Sequence, residues 1–285
     1  MAVRIIVDSA CDIERKRAQE LKLEILPIKT MFGDEEYLDG VTMSHEMFFE
    51  KLIESEKMPT TSQVPPFEYE EKFEEVKAAG DTAVCITLSS KLSGCYQSAN
   101  IAKDGYEDCI TIVDSNNVSI GEQILTLLAV SLRDQGKSAE EIAAELNEKK
   151  KSIRLIALLD TLEYLKKGGR ISAAAAMVGA VLSIKPVIAI ENGEIAVLGK
   201  ARGSRNGNNM LKEIIQKTEG VRFDMPYTLA YSGLSDSLLK KYIEDSKELY
   251  DCPPEELPIS TIGSAIGTHV GPGAIGVAFF SENRN

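Results

Sequence analysis

Short apolar runs alternate with helical patterns through the first half of the chain. Val3–Val7, Ala83–Leu88 and Ile110–Val113 are largely apolar, and each is followed by a polar or glycine-containing turn. Such runs predict the strands of a parallel sheet that helices cover on both faces. The amphipathic segments predict helices at Asp12–Leu21, Pro66–Ala79, Gly94–Lys103, Ser119–Gln135 and Ala139–Lys150.

The second half has a different pattern, in which hairpins are mixed with helices. Pro186–Ile190 and Glu194–Leu198 flank Asn192-Gly193, a dipeptide typical of a tight β-hairpin. Further strands are predicted at Ile153–Leu159, Thr228–Tyr231 and Ala274–Phe280, with helices near Gly207–Thr218 and Asp236–Tyr250. The change of pattern predicts an N-terminal parallel-sheet α/β/α domain at residues 1–152. A C-terminal α+β domain with a mixed or antiparallel sheet would follow at residues 153–285.

Two segments depart from these patterns. The residues between Lys29 and Asp39 break into short pieces around Gly33, which predicts a small hairpin. Ile171–Ile184 is the longest apolar stretch, but serine and glycine interrupt it and Lys185-Pro186 ends it. Because crossing a bilayer takes about 20 apolar residues, this stretch predicts a buried helix.

Charge and cysteine content narrow the class of protein. The net charge of −12, from 44 acidic and 32 basic side chains, opposes binding to nucleic acid and to anionic membranes, which require a positive field. The odd number of cysteines, their wide spacing and the lack of a Cys-x-x-Cys sequence argue against a disulfide framework or a zinc site. The first apolar run ends at Asp8 and is too short for a signal peptide. We therefore expect a cytoplasmic location.

The segment Ile86–Ala99 contains a candidate anion site. A buried strand ends near Leu88, a serine-rich turn follows, and Gly94 begins a helix. Ser93 and the amides near Gly94 thus lie at a helix N-terminus, where unpaired N–H groups and the helix dipole favour an anion. A serine that only caps the helix would occupy the same position, and the spacing does not separate the two roles.

Three further side chains could donate hydrogen bonds to an anion. Thr61 precedes a proline pair, which predicts a loop with hydroxyl and backbone donors. Arg170 follows a glycine pair, and its guanidinium could pair with a carboxylate or a phosphate. His269 lies in the glycine-rich residues 262–276, which predict a tightly turned segment for it and not the middle of a helix. A helix cap, a surface arginine and a structural histidine are the alternative roles.

The sequence lacks the common cofactor and metal motifs. Gly271–Gly276 matches G-x-G-x-x-G, but the strand-like Val277–Phe280 follows where a dinucleotide site requires a helix. No P-loop, H-E-x-x-H or calcium-loop sequence occurs. We therefore predict no cofactor and no metal site.

Several of these segments together resemble the DegV family, in family order and over almost the whole chain. The matching segments are Val7–Ser9 with Asp12, Thr61–Gln63, Ile86–Ala99, Val113–Ser115, Asp160–Ile171, Lys185-Pro186, Gly199–Arg202 and the glycine-rich segment around His269. The chain departs from the family at Ala10-Cys11, often Thr-Ala, at Val64, and at Cys95, where threonine is usual.

The resemblance implies two α/β domains that enclose a long-chain fatty acid. It implies that groups at Thr61, Ser93 and Gly94 hold the carboxylate, and that Arg170 and His269 lie close to it. It further implies a lipid-binding subunit of bacterial fatty-acid kinase, without catalytic activity of its own. That subunit presents the carboxylate to a separate ATP-dependent kinase subunit, which makes the acyl phosphate. Besides the fatty acid and the kinase subunit, we count transient membrane contact among the expected interactions.

Two other interpretations remain open on the sequence. Ser93 and His269 could be the nucleophile and base of an esterase or acyl transferase, although Ser93 does not lie in a G-x-S-x-G sequence. A stand-alone lipid carrier or regulator would share every residue feature with a kinase subunit.

Overall fold

The structure is a computed structural model that describes residues 2–171, 184–218 and 220–281. The apolar stretch Ile171–Ile184, predicted as a buried helix, lies almost entirely outside the described residues. Within the described ranges, no helix combines the length and the apolar character needed to cross a bilayer.

The described residues form strands and helices close to most of the predicted positions. The strands are β1 (Val3–Asp8), β2 (Leu23–Leu26), β3 (Lys29–Phe32), β4 (Glu35–Leu38), β5 (Thr60–Ser62), β6 (Thr82–Thr87), β7 (Ile110–Asp114), β8 (Ile153–Leu158), β9 (Ile184–Glu191), β10 (Glu194–Arg202), β11 (Thr228–Tyr231), β12 (Ile259–Thr261) and β13 (Ile275–Phe280). The helices are α1 (Arg15–Glu20), α2 (His45–Glu54), α3 (Pro66–Ala78), α4 (Cys95–Ala102), α5 (Ile120–Asp134), α6 (Ala139–Lys149), α7 (Glu163–Lys167), α8 (Gly203–Lys217), α9 (Ser237–Ser246) and α10 (Ser264–Val270).

The first sheet is parallel, with the strand order β2-β1-β6-β7. Ile5–Val7 and Ala83–Ile86 have no exposed surface. Because successive strand residues point to opposite faces, this burial shows that both faces are covered. The chain leaves β1 toward β2 on one side and returns to β6 on the other. The loops after β1 and β6 therefore diverge and open a crevice at the carboxyl ends of these strands.

The second sheet is mixed, with the order β10-β9-β8-β13-β11-β12 and one parallel pair, β11–β12. Asn192 and Gly193, with φ of 51° and 83°, make the turn of the predicted β9–β10 hairpin, because both central residues of such a turn need positive φ. The parallel sheet and the mixed sheet confirm the predicted fold class.

The predicted hairpin around Gly33 is confirmed as β3–β4, in a three-stranded antiparallel sheet ordered β4-β3-β5. The prediction of a loop at Thr60–Ser62 is wrong, because these residues form β5 and pair with β3. Thr30 and Thr61 are opposite each other in this pairing. The partner strand lies about thirty residues away in sequence, so no local pattern could reveal it.

The apolar core continues from the parallel sheet into the mixed sheet. Ala278 and Phe280 of β13 pack into the same core as Ile5, whereas Val277 and Phe279 pack on the opposite face with a second core. The alternation follows the two-residue period of a strand. The mixed sheet therefore has one face toward the N-terminal half. The division into domains at residues 152 and 153 stays a prediction.

Candidate functional site

A cavity lies at the carboxyl end of β6, close to α10. Its polar lining comes from four predicted residues that distant elements bring together, together with Ser62 and Gln63. We call Thr61, Ser93, Arg170 and His269 the polar end of the site. Each of the four is only partly exposed, whereas Ser62 and Gln63 are exposed, so this end of the cavity reaches the protein surface.

Ser93 lies where the sequence placed it, at the start of α4. Its Oγ accepts a hydrogen bond from the amide of Cys95 at 3.3 Å and donates to Cys95 Sγ, a weak acceptor that a ligand oxygen could replace, at 3.3 Å. Both the helix-capping role and the donor role are therefore compatible with this position, because a hydroxyl can accept from the helix and donate to a ligand at once.

Gly94 has a steric role that the sequence did not show. A Cβ at this position would collide with the carboxamide of Gln63, which lies directly against Gly94. Gln63 is fixed there because its Nε2 donates to Ser98 Oγ at 2.8 Å. Gly94 thus allows β5 and α4 to approach closely, as glycine does where backbone contacts another group. Gln63 was not predicted as a site residue, although its two-residue separation from Thr61 could have indicated it.

His269 lies in the last turn of α10, close to its C-terminal end and not in the middle of a helix, although the sequence did not predict a helix in this glycine-rich segment. Its Nε2 is 2.9 Å from Thr61 Oγ1, and its Nδ1 has no hydrogen-bond partner among the described residues. Gly168 lies against the ring, where a Cβ would strike Nδ1. Burial, and secondly the positive charge of Arg170, lower the pKa of His269 from 6.5 to about 4. The ring is therefore neutral at pH 7.

Arg170 is held by two backbone carbonyls. Its Nε donates to Leu92 O at 3.1 Å, and its Nη1 donates to Gly168 O at 2.6 Å. These bonds join the loop before α4 to the glycine pair after α7. They neutralise no charge, so the guanidinium remains a fixed cation at the polar end.

A second cavity lies beside the first. The two share four aliphatic residues in their linings: Val118, Ile195, Ile266 and Val270. The described lining of the second cavity is aliphatic or glycine except for Ser119, whose Oγ donates to Asp12 and not into the cavity. We call it the aliphatic cavity. The site thus joins polar donors at the surface to an apolar interior.

The geometry gives little support to a Ser93–His269 dyad. Ser93 Oγ contacts Cys95, and the described hydrogen bond of His269 goes to Thr61. A nucleophile and its base are expected within hydrogen-bond reach, although this distance is often looser without substrate. Among the described residues, no group of three or more His, Cys, Asp or Glu side chains could hold a metal ion.

Comparison with known proteins relates this arrangement to one family. Residues 2–282 match the model described as "Uncharacterised protein, DegV family". A DegV domain-containing protein of Caldanaerobacter subterraneus subsp. tengcongensis is 34% identical, over 98% of this chain and 99% of that protein.

Two solved structures show the same fold. The structure of a DegV family protein from Thermus thermophilus, described by its fatty acid binding, has a TM-score of 0.87 and 28% identity, covering 99% of this chain and 100% of that one. A fatty-acid (stearic acid)-binding protein from Eubacterium ventriosum has a TM-score of 0.87 and 25% identity, covering 99% of each chain.

Proposed function

Because the chain belongs to the DegV family, we propose that it binds one long-chain fatty acid in the two adjoining cavities. The acyl chain occupies the aliphatic cavity, and the carboxylate lies at the polar end beside Gly94. The observation that carries this proposal is that the two cavities share four lining residues, with hydrogen-bond donors in the lining of one cavity and aliphatic side chains in the lining of the other.

The two parts of the site make different contributions to binding. Each buried methylene contributes about 0.8 kcal/mol, so a chain of about 14 methylenes gives roughly 11 kcal/mol before the costs of association. The polar end then satisfies an anion that would be costly to bury alone. Thr61 and Ser93 supply hydroxyl groups, Arg170 supplies a fixed positive charge, and neutral His269 can donate from one ring nitrogen.

We further propose that the protein presents the carboxylate to a separate ATP-dependent fatty-acid kinase subunit, and has no catalytic activity alone. Ser62 and Gln63 support this role because they are exposed beside the polar end. A bound carboxylate would therefore lie near the surface while its acyl chain remains enclosed. Under this proposal the protein is cytoplasmic and contacts membranes only transiently during loading. The net charge of −12 opposes nucleic-acid binding.

Mass spectrometry of lipid extracted from the purified protein tests the binding proposal. We expect one fatty acid per chain, and a lower affinity in Ser93→Ala and Thr61→Val by about ten-fold each, as for one lost hydrogen bond to a charged group. A protein that is empty and cannot be loaded with added fatty acid would refute the proposal. Acyl phosphate formed only after addition of a kinase subunit and ATP would distinguish the presenting subunit from a stand-alone carrier.

A matched pair of variants tests where the acyl chain lies. A Cβ at Gly276 would lie 3.5 Å from Ala157 Cβ and from Ile120 Cδ1, which is ordinary contact. Gly276→Ala should therefore bind like the wild type. Gly276→Val adds further carbon atoms to the aliphatic cavity and should weaken binding of long chains by about 2 kcal/mol, as for two or three displaced methylenes. Equal affinities for both variants would place the acyl chain elsewhere.

A further inference from the structure

Two buried aspartates from the N-terminal half hold the start of α10, the helix that carries His269. Asp12 Oδ1 accepts the amide of Gly263 at 2.7 Å. Asp39 Oδ1 accepts the amide of Ser264 at 2.8 Å. The two aspartates are 2% and 4% exposed, so water does not replace these contacts. Unpaired amides at a helix start need acceptors, and here two distant segments provide them.

The contacts of Asp39 continue to the strand that pairs with Thr61. Ser264 Oγ donates to Asp39 Oδ1 at 2.8 Å, and Ser9 Oγ donates to Asp39 Oδ2 at 2.8 Å. Thr30 Oγ1 is 3.0 Å from Ser264 Oγ. Because the Ser264 hydroxyl proton goes to Asp39, the Thr30 hydroxyl is the donor in this contact.

Both ends of α10 are therefore attached to the same pair of strands. Thr30 of β3 contacts Ser264 at the start of the helix, and Thr61 of β5 contacts His269 in its last turn. Thr30 and Thr61 are register partners in the β3–β5 pairing. Five residues separate Ser264 from His269, a rise of about 7.5 Å. A rotation or a shift of α10 would break the contacts at both ends.

The middle of α10 leaves no room for such a shift. Gly267 packs against Phe48 and Phe49 of α2, and a Cβ at this position would lie 2.5 Å from Phe48 Cε1. Both phenylalanines are fully buried. The helix is thus positioned by polar contacts at its two ends and by steric contact between them.

We infer that Asp39 is a positioning residue for the carboxylate site: through Ser264 and α10 it sets where the ring of His269 stands relative to Thr61. This inference rests on the proposed function. It extends that function to a buried residue that does not line the polar cavity. Asp39 then determines how well the site recognises a carboxylate, beyond any contribution to stability.

The test compares a long-chain fatty acid with the primary alcohol of the same chain length. Both bury the same acyl chain, so the ratio of their affinities isolates recognition of the carboxylate. Asp39→Ala should lower the preference for the acid by about ten-fold or more, because a displaced His269 loses one hydrogen bond to a charged group. Asp39→Asn keeps an acceptor for the Ser264 amide and should retain most of the preference.

Two further variants separate positioning from stability. Thr30→Val removes only the Thr30–Ser264 hydrogen bond and keeps the side-chain shape, so it should fold and lower the preference less than Asp39→Ala does. Leu211→Ala destabilises the second core, whose described members include no residue of α10, and should leave the preference unchanged. If Asp39→Ala does not fold, Thr30→Val decides the result. An unchanged preference in folded Asp39→Ala or in Thr30→Val would overturn the inference.

A second measurement needs no lipid, so failure of this inference can be told from failure of the proposed function. NMR titration of His269 in the empty protein should give a pKa near 4 for the wild type and a value closer to 6.5 in Asp39→Ala, because a displaced ring loses its burial. The same pKa in both proteins would overturn the inference. A wild-type protein that binds no fatty acid would refute the proposed function instead.

Discussion

The polar groups at the two ends of α10 differ in how completely they are hydrogen-bonded within the chain. At its start, Asp12 and Asp39 are almost fully buried and accept hydrogen bonds at both carboxyl oxygens. At its end, His269 is partly buried, and its Nδ1 lacks a partner among the described residues. Arg170 beside it contacts only carbonyl groups in its described bonds.

The difference separates groups that hold the fold from groups left for a ligand. A buried polar group costs stability unless it is hydrogen-bonded, so the aspartates are matched to donors within the chain. The polar end carries a fixed cation and incompletely paired donors close to the surface, which is an arrangement that an anion completes. One short helix thus joins a structural site to a binding site.

The largest expected effect is on stability, at the start of the helix. Asp12→Ala would leave the Gly263 amide and the Ser119 hydroxyl buried without an acceptor. Each such loss costs about 1–3 kcal/mol, so the free energy of unfolding should fall by about 2–6 kcal/mol. Ser93→Ala at the polar end should cost less than about 1 kcal/mol without lipid, because Ser93 is partly exposed. Equal losses in urea denaturation would contradict the contrast between the two ends.

Glu122 differs from Asp12 and Asp39, because no described group donates a hydrogen bond to its carboxyl oxygens. Glu122 is fully buried, and neither carboxyl oxygen has a described hydrogen bond. Burial first, and then the charges of Asp8 and Asp12, raise the pKa of Glu122 well above 4.5. The folded state thus binds more protons than the unfolded state above pH 4.5. Stability should fall as pH rises from there, by at most about 1.4 kcal/mol per pH unit from this group.

Glu122→Gln replaces the ionisable carboxyl group with an amide and should remove this group's contribution to the pH dependence of stability. The variant should equal the wild type near pH 4.5 and exceed it increasingly toward pH 7, as measured by denaturation at each pH. A constant difference between the two proteins across this range would show that Glu122 does not titrate differently on folding.

Two adjacent glycines should separate binding from folding at the polar end. A Cβ at Gly168 would collide with His269, so Gly168→Ala should weaken fatty-acid binding by about ten-fold, or about 1.4 kcal/mol. Gly169 has a φ of 71° and nothing near a Cβ. Gly169→Ala should therefore cost about 1 kcal/mol of stability and leave affinity unchanged. Titration with a fatty acid and urea denaturation check both. The same binding loss in both variants would contradict the assigned contact.

The smallest expected effect is a change in the pKa of His269 when a fatty acid binds. The pKa of His269, lowered to about 4 in the empty protein, should rise when a carboxylate binds beside it, because a nearby negative charge favours the imidazolium. By linkage, fatty-acid affinity should increase as pH falls through the raised pKa of the bound state toward the free-protein value of about 4, until the fatty acid itself is protonated. NMR titration with and without lipid measures the shift. An unchanged or lower pKa would place the carboxylate away from His269.

The sequence predicted the elements whose signals are local. The strands of both sheets, the Asn192-Gly193 hairpin and the start of α4 at Ser93 follow from apolar runs, turn residues and helix-start chemistry. Asp12 was misplaced at the start of a helix. It adopts a left-handed conformation with φ of 52°, and α1 begins only at Arg15. That conformation turns its carboxyl group toward Gly263, a contact across most of the chain.

By itself, the sequence determined the fold class, the family and the residue types that an anion site requires, because apolar periodicity and motif order are properties of neighbouring residues. Only the tertiary structure decided that a glycine-rich segment forms helix α10, since long-range contacts with Asp12, Asp39 and Phe48 stabilise it against its weak intrinsic propensity. The same contacts bring His269 of one half to Thr61 of the other. Residues more than two hundred positions apart meet only when both sheets share one core, and no local pattern records that packing.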